Sequence, residues 1–515
     1  MMQLQTLIAF ALVFLRSDQE LGWPMFGDRE IAWTLSLVAV QAVVIVVASL
    51  WACRAALRTL AGNRDRPGTA QQFHHRATVF LRAFVIASFA VDILATRWPD
   101  ICYSPGYSPW LRIVGDLCAL LPYTAGLMAV WWLAYPVDRA LREQVLAVGA
   151  PDGDGLRSIW SRRQYVAFNV RHHILVVGVP IALILYVSNL TRGYASQIRR
   201  LAFDWQYAPD ALLGVVALAV FVIAPLMLRY IWTTEPLAHG PLRSNLEQLC
   251  ERIGLRCRNI LIWKSRGMMV NAAVMGLVPR VRYVLLSDGL LETMSDRQVE
   301  AVFGHEAGHV WHHHIEFFLL FAFVTMLLVS AVMEWLARTT PHLSLTTVQA
   351  LGGVATLLLW GVGFGWISRR FERQADLFGA LCVTPTADEC TVPCSVHLEP
   401  GGGDECGTGI LPVEARAKSL CDPGPRVCAT AAALFASALD RVAVLNGIPH
   451  EERNWRHSSI ANRVRFLTSL ANDPNRAIRF DRLVRRTKTM LLVTSVVGAV
   501  LAIYYYAVAD AVLLR

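Results

Sequence analysis

The sequence predicts a mainly α, polytopic helical membrane protein with about eight spans and a polar cytoplasmic domain. Three observations carry that reading. Of 515 residues, 55% are hydrophobic and only 17% charged, whereas a soluble globular protein carries about 25% charged residues. Apolar runs near 31–51, 78–96, 109–134, 173–191, 211–231, 315–336, 347–367 and 489–511 each approach the ~20 residues that a spanning helix needs. Arginines cluster between those runs, and unevenly.

That unevenness orients the chain. The 52–77 loop holds Arg54, Arg58, Arg64, Arg66 and Arg76; the 136–171 loop holds Arg139, Arg142, Arg157, Arg162, Arg163 and Arg171. The 97–108 loop between them has only Arg97. The positive-inside rule makes the two basic loops cytoplasmic. Counting onward, residues 232–314 are cytoplasmic as well, a two-span hairpin follows, and the chain returns to the cytoplasm at "SRRFERQAD". In a bacterium this membrane is expected to be the inner one. The formal net charge of +9 therefore reads as loop charge. No basic helix or aromatic-interleaved patch favours nucleic acid, so the partners expected are the lipid bilayer and a peptide or protein substrate.

The first apolar stretch, "LQTLIAFALVFL", is shorter and is an anchor, an interfacial helix or a ninth span; no clear small-residue cleavage site follows it. Arg82, Asp92, Arg112 and Asp116 fall inside predicted spans but toward their ends, where snorkelling or a helix–helix ion pair is cheaper. Eleven cysteines are present, an odd count with no CxxC pair, so reduced thiols are expected. Residues 383–428 are rich in Pro, Gly and Cys and lack a helical period; they read as an insertion between two helices, remote from any site. The organisation expected is a multi-span region 1–231, a polar core 232–314, a hairpin 315–367, the rest of the polar domain at 368–382 and 429–488, the insertion 383–428, and a last span within 489–515.

Chemistry concentrates in "GHEAGHVWHHH", residues 304–314. Ser295 is a good N-cap and Gln298 completes a capping box, so a helix starts just before it. Val299, Val302 and Phe303 give that helix an apolar face. His305 and His309 are four apart and project from one face, where two imidazoles can share one Zn²⁺ at about 2.0–2.1 Å each. Glu306 is rotated by about 100° and faces a water beside the ion instead of joining the ligands. A catalytic zinc needs a third protein ligand and an open fourth position. "SRRFERQADLFGALC" offers one: Glu372 can bind the ion, while Asp376, four residues on, can accept a hydrogen bond from His305 and fix its tautomer. His312, His313 and His314 directly precede the next span and read as interfacial helix-end residues.

The chain resembles the zinc metallopeptidases that include the HtpX membrane protease and the type 1 CAAX prenyl protease. "MMVNAAVMG" is similar to the family's Asn-Ala strand, "RYVLLSDGLLETMSDRQVEAVFGHEAGHVWHHH" to its strand, helix and metal motif, "SRRFERQAD" to its Glu-xxx-Asp helix, and "HSSIANRVRFL" to its later His-Pro-Pro…Arg motif. The likeness covers roughly residues 235–382 and 429–470. It implies a gluzincin-like metallopeptidase domain with a small β-sheet. It implies that His305, His309 and Glu372 hold one catalytic zinc and that Glu306 is general base, then general acid. It also implies that Asn271 and Ala272 lie on an edge strand that aligns substrate backbone, and that His457 and Arg463 stand near the cleft, stabilising the oxyanion or supporting the site. Ser458 and Ser459 stand where the family has prolines.

The function expected is zinc-dependent endopeptidase action on membrane-associated or misfolded proteins. The alternatives are CAAX-type C-terminal processing and a non-catalytic zinc-binding scaffold, against which the intact Glu306 argues. A site-2-type intramembrane protease fits less well, because the motif precedes its span. A transporter is disfavoured for want of an internal repeat.

Overall fold

The structure is a computed structural model that describes residues 2–17, 31–62, 67–103, 108–149, 160–267, 269–340, 342–385, 390, 427–446, 448–452 and 455–513. The chain forms two compact units, Met1–Thr233 and Thr234–Arg515.

Among its described residues, the first unit holds helices and no strand. Its long elements are α1 (Met2–Ser17), α2 (Ile31–Gly62), α3 (Pro67–Ala95), α6 (Leu121–Gly149), α8 (Val176–Gly193) and α10 (Ala208–Ile231). The short helices α4 (Trp98–Cys102), α5 (Arg112–Ala119), α7 (Arg162–Asn169) and α9 (Ala195–Leu201) lie between them. Such helices form because every backbone bond closes within the segment, the only way a lone span satisfies its polar groups in lipid. Their outward faces stay apolar: Val43, Val47 and Trp51 on α2 are exposed. Asp116, expected near a helix end, is instead buried. It accepts hydrogen bonds from Tyr103 Oη at 2.6 Å and Asn189 Nδ2 at 2.7 Å. The Tyr103 hydroxyl, just past α4, and the Asn189 amide on α8 satisfy it, so snorkelling is not what makes it tolerable.

The second unit carries the polar chemistry. Strands β1 (Thr234–Pro236), β2 (Asn259–Trp263), β3 (Ala272–Met275) and β4 (Tyr283–Ser287) form one sheet in the order β1-β2-β4-β3. β2 and β4 pair in parallel, and the two outer pairings are antiparallel. β4 is buried along its whole length, as a central strand must be. β3 is an edge. Helix α11 (Pro241–Arg252) lies between β1 and β2 in the chain, and α12 (Asp288–Thr293) leads to α13 (Asp296–Trp311). The expected capping box is present: Ser295 accepts from the Gln298 amide, and Gln298 reaches back to the Ser295 N–H.

Two apolar helices follow, α14 (His314–Thr339) and α15 (Leu345–Leu358). A π-turn at Leu359–Phe364 joins α15 to α16 (Gly365–Cys382) without a break. The unit ends with α17 (Ala429–Leu445), α18 (Ile460–Asn472) and α19 (Pro474–Leu513). Among the described residues seven helical stretches are long and apolar enough to cross a membrane: 31–62, 70–95, 112–141, 162–193, 208–231, 314–339 and 351–382. They coincide with seven of the expected spans. The eighth lies within α19, and the stretch Leu4–Phe14 is a shorter apolar helix. The protein is thus an integral membrane protein of many helices with one small mixed sheet. Most of the expected insertion, at 386–389 and 391–426, lies outside the described residues. At its base Cys390 and Cys428 bring their sulfurs to 3.6 Å.

Candidate metal centre

Helices α13 and α16 pack closely because small residues face each other along their seam. A Cβ on Gly308 would lie 3.2 Å from the Ala375 Cα, and one on Gly379 would lie 2.9 Å from the His305 backbone nitrogen. Backbones this close let short side chains bridge the two helices. Ala301 on α13 and Ala375 and Phe378 on α16 line the same contact, all buried.

Into that seam project His305 and His309 from α13 and Glu372 from α16. Their donor atoms all lie within 4.8 Å of one another. His305 Nε2 and His309 Nε2 are 3.4 Å apart. The Glu372 oxygens lie 3.6 Å from His305 Nε2 and 3.8 Å from His309 Nε2. Three ligands at 2.0–2.1 Å from a tetrahedral ion would stand about 3.4 Å apart, so the triad is near the spacing for one small dication. Two imidazoles and a carboxylate are a donor set that zinc favours. No other group of three or more such donors occurs among the described residues.

The partners of the triad come from several elements. Asp376 is wholly buried, and its Oδ1 lies 2.9 Å from His305 Nδ1. Its other partner is Arg463 on α18, whose Nε donates to Oδ2 at 2.9 Å and whose Nη2 donates to Oδ1. His457 Nδ1 lies 2.8 Å from Glu372 Oε1. So the residues expected from the sequence converge: His457 meets Glu372, and Arg463 meets Asp376, which in turn meets His305. The guanidinium is turned toward Asp376, with Nη2 also 3.5 Å from His305 Nδ1.

Local structure explains both placements. Ser459, where the resembling family has a proline, is the N-cap of α18 and accepts from the Asn462 amide. Arg463 then falls in the first turn. Ser458 adopts a left-handed conformation at φ 67°, which turns the chain between His457 and that helix. The strap before it is anchored: Trp455 Nε1 donates to the Gly361 carbonyl at 2.6 Å, and Arg369 Nη1 donates to the Trp455 carbonyl at 2.9 Å. Gly361 sits in the π-turn, where carbonyls lose their regular helical partners.

Glu306 is next to the triad. The backbone N–H of Val274, on edge strand β3, donates to its carboxylate, and burial pushes that carboxyl up to about 7. The residue is half-buried. Ala272 opens β3, with Asn271 just before it. Asn271 O accepts from the Ser287 amide at 2.9 Å, tying that end of the strand to β4. Burial presses the His305 imidazole toward neutrality, but the hydrogen bond and charge of Asp376 outweigh it, so its pKa is raised. A more basic imidazole is also a stronger donor to a cation. Burial, together with the charge of His305, lowers His309 to about 3.

One expectation needs correction. His314 opens α14, as a helix-end residue does, but it does not face water. It is completely buried, its Nδ1 is 2.9 Å from His309 Nδ1, and its Nε2 is 2.9 Å from Gln374 Oε1. The cause is His313, which takes a left-handed conformation at φ 57° and breaks α13 from α14. His313 itself is exposed and pairs with Glu316 at 3.2 Å. Sequence reasoning also missed Gln374 and Trp455. Gln374 stands in a polar stretch between Arg373 and Ala375, so nothing in the local sequence singled it out.

Fold and site together define a multi-span membrane protein whose polar unit gathers two histidines and a glutamate that could hold a metal ion, beside a buried acid. Residues 236–446 match the model of Peptidase family M48, so the chain carries a domain of that family. It is 28% identical over 161 residues to a protease HtpX homolog of Pyrobaculum calidifontis, covering 29% of this chain and 43% of that protein. It is 27% identical over 131 residues to CAAX prenyl protease 1 of Saccharomyces cerevisiae, covering 25% of this chain and 29% of that protein. The chain thus spans less than half the length of these curated relatives. A crystal structure of S. mikatae Ste24p aligns with 85% of this chain and 100% of that chain, at 15% identity and a TM-score of 0.48.

Proposed function

We propose that the protein is a membrane-embedded zinc endopeptidase whose site faces the cytoplasm. The observation that carries this is the meeting of His305, His309 and Glu372 within 4.8 Å, with Glu306 alongside. His305, His309 and Glu372 would hold the zinc, which when bound supplies Lewis-acid polarisation to a peptide carbonyl and acidity to a water molecule.

Glu306 is the general base. A carboxyl near neutrality can take a proton from the attacking water and return it to the leaving amine nitrogen. Val274 holds the Glu306 carboxylate from β3. The same edge strand can align an extended peptide by strand addition, which fixes the scissile bond near Glu306. Ala272 and Asn271 define where that strand begins. His457 steadies Glu372, and Arg463 holds Asp376 against His305. The substrates this arrangement suits are unstructured segments of membrane-associated or misfolded proteins presented at the membrane surface.

The test is Glu306→Gln in detergent-purified protein. The variant should bind one zinc per chain, as wild type does. Its cleavage of an unstructured reporter peptide should fall by about 10²–10⁴-fold, the usual contribution of a general base. A chelator should stop the wild type, and added zinc should restore it. Turnover retained in the variant, or no zinc in the wild type, rejects the proposal.

A further inference from the structure

Two buried side chains beyond the triad form a line with one of its histidines: Gln374 Oε1, His314 Nε2 and Nδ1, then His309 Nδ1. Each step is 2.9 Å. His314 is wholly buried, and Gln374 is 5% exposed. The His314 ring stacks on Phe371, with centroids 4.3 Å apart and planes 6° from parallel. A second stacked contact, to His312, has centroids 5.6 Å apart. The ring cannot turn without losing both bonds.

We infer that Gln374 and His314 form a one-way hydrogen-bond relay that sets the tautomer of His309. The direction follows from what each atom can do. An amide oxygen only accepts. His314 Nε2 must therefore carry the proton and donate to Gln374. A fully buried imidazole between an amide and another imidazole is neutral, because an unpaired charge there is too costly. It has one proton, so its Nδ1 presents a lone pair. The bond to His309 then requires that His309 Nδ1 carries a proton and donates it. His309 Nε2 is left bare, on the side that faces His305 Nε2 and Glu372.

Asp376 acts the same way on the other histidine, since a carboxylate only accepts and so keeps the proton of His305 on Nδ1. Both imidazoles are thereby held with Nε2 toward one point. The device for His309 depends on the backbone break. On a continuous helix, residues five apart are rotated by about 140°, and their rings do not meet. The left-handed His313 redirects α14 and brings His314 back to His309. A left-handed non-glycine residue carries a steric cost, which such sites hold where geometry demands it.

This inference rests on the metal reading proposed above, and the two can be separated. The probe is Zn²⁺ alone, measured by competition with a chromogenic chelator on full-length protein in detergent. His314→Phe keeps the stacking and removes both bonds. Gln374→Met keeps the shape and removes the acceptor. Each should weaken zinc binding by about 10- to 100-fold, as loss of an outer partner of a metal-bound histidine does. The double variant should match His314→Phe within about twofold, because a serial relay broken twice is no more broken. The thermal midpoint of the metal-free protein is read in parallel. Zinc affinity within twofold of wild type in either single variant overturns the relay. So does a double variant whose loss is the product of the two, or a loss that merely tracks a fallen thermal midpoint. His309→Ala is the control: if it binds zinc as wild type does, the metal reading itself fails, whatever the relay variants do.

Discussion

The buried pair Asp376–Arg463 allows stability to be separated from metal binding. Asp376 has no exposed surface, and Arg463 is 8% exposed. Charges about 3 Å apart attract by roughly 4–6 kcal/mol at an effective dielectric constant of 20, which sets the scale for this pair. Desolvating two ions costs several kcal/mol each, so the pair as a whole contributes little net stability. The asymmetry is what matters. Arg463→Met leaves an uncompensated buried carboxylate and should cost about 3–5 kcal/mol. At roughly 2–4 °C per kcal/mol, the thermal midpoint of the metal-free protein should drop by about 10 °C. Asp376→Asn strands the guanidinium and should also destabilise. The double variant Asp376→Asn/Arg463→Met removes both charges and should recover most of the loss.

Zinc affinity should behave differently. Asp376 receives the Nδ1 proton of His305, and an asparagine can present its NH₂ instead and favour the wrong tautomer. Every variant carrying Asp376→Asn should bind zinc about 10- to 100-fold more weakly, equivalent to roughly 1.4–2.8 kcal/mol. The double variant should thus be stable yet poor in zinc. The assays are thermal unfolding of metal-free protein and chelator competition. A double variant as unstable as the worse single one, or Asp376→Asn with wild-type zinc affinity, would refute this account of the pair.

Two other substitutions probe the scaffold. Gly379→Ala places a Cβ 2.6 Å from the Phe435 ring and 2.9 Å from the His305 nitrogen; it should cost about 1–3 kcal/mol by overpacking and spread the α13–α16 seam, so that thermal midpoint and zinc affinity fall together. At His313, φ 57°, glycine should leave the midpoint within about 1 kcal/mol of wild type, while valine, which tolerates that conformation poorly, should cost about 2 kcal/mol; equal midpoints for the two would contradict the left-handed assignment.

The part of the site legible in the sequence is the part built by helical periodicity. His305 and His309 are four apart, as are Glu372 and Asp376, and four residues on a helix always share a face. The spans were legible for a similar reason: an apolar run of about 20 residues needs no tertiary information. What stayed hidden lies where the chain departs from regular structure. His314 meets His309 only because His313 is left-handed, and no glycine or asparagine marks that position. Trp455 reaches the Gly361 carbonyl, 94 residues away in sequence, only because a π-turn offers that carbonyl. Ser458 turns left-handed beside His457, where proline would give a different backbone.

These three departures share a location. Each flanks a residue of the candidate site: His313 lies between His309 and His314, the π-turn feeds the helix of Glu372, and Ser458 follows His457. Regular helices bring the ligands to one seam, but regular geometry alone leaves their outer partners pointing elsewhere. The local breaks supply the missing rotations, and the surrounding packing holds them. Conversely, restoring regularity should leave the three ligands in place and remove what orients them, which is why zinc affinity is the sharper readout than the presence of the fold.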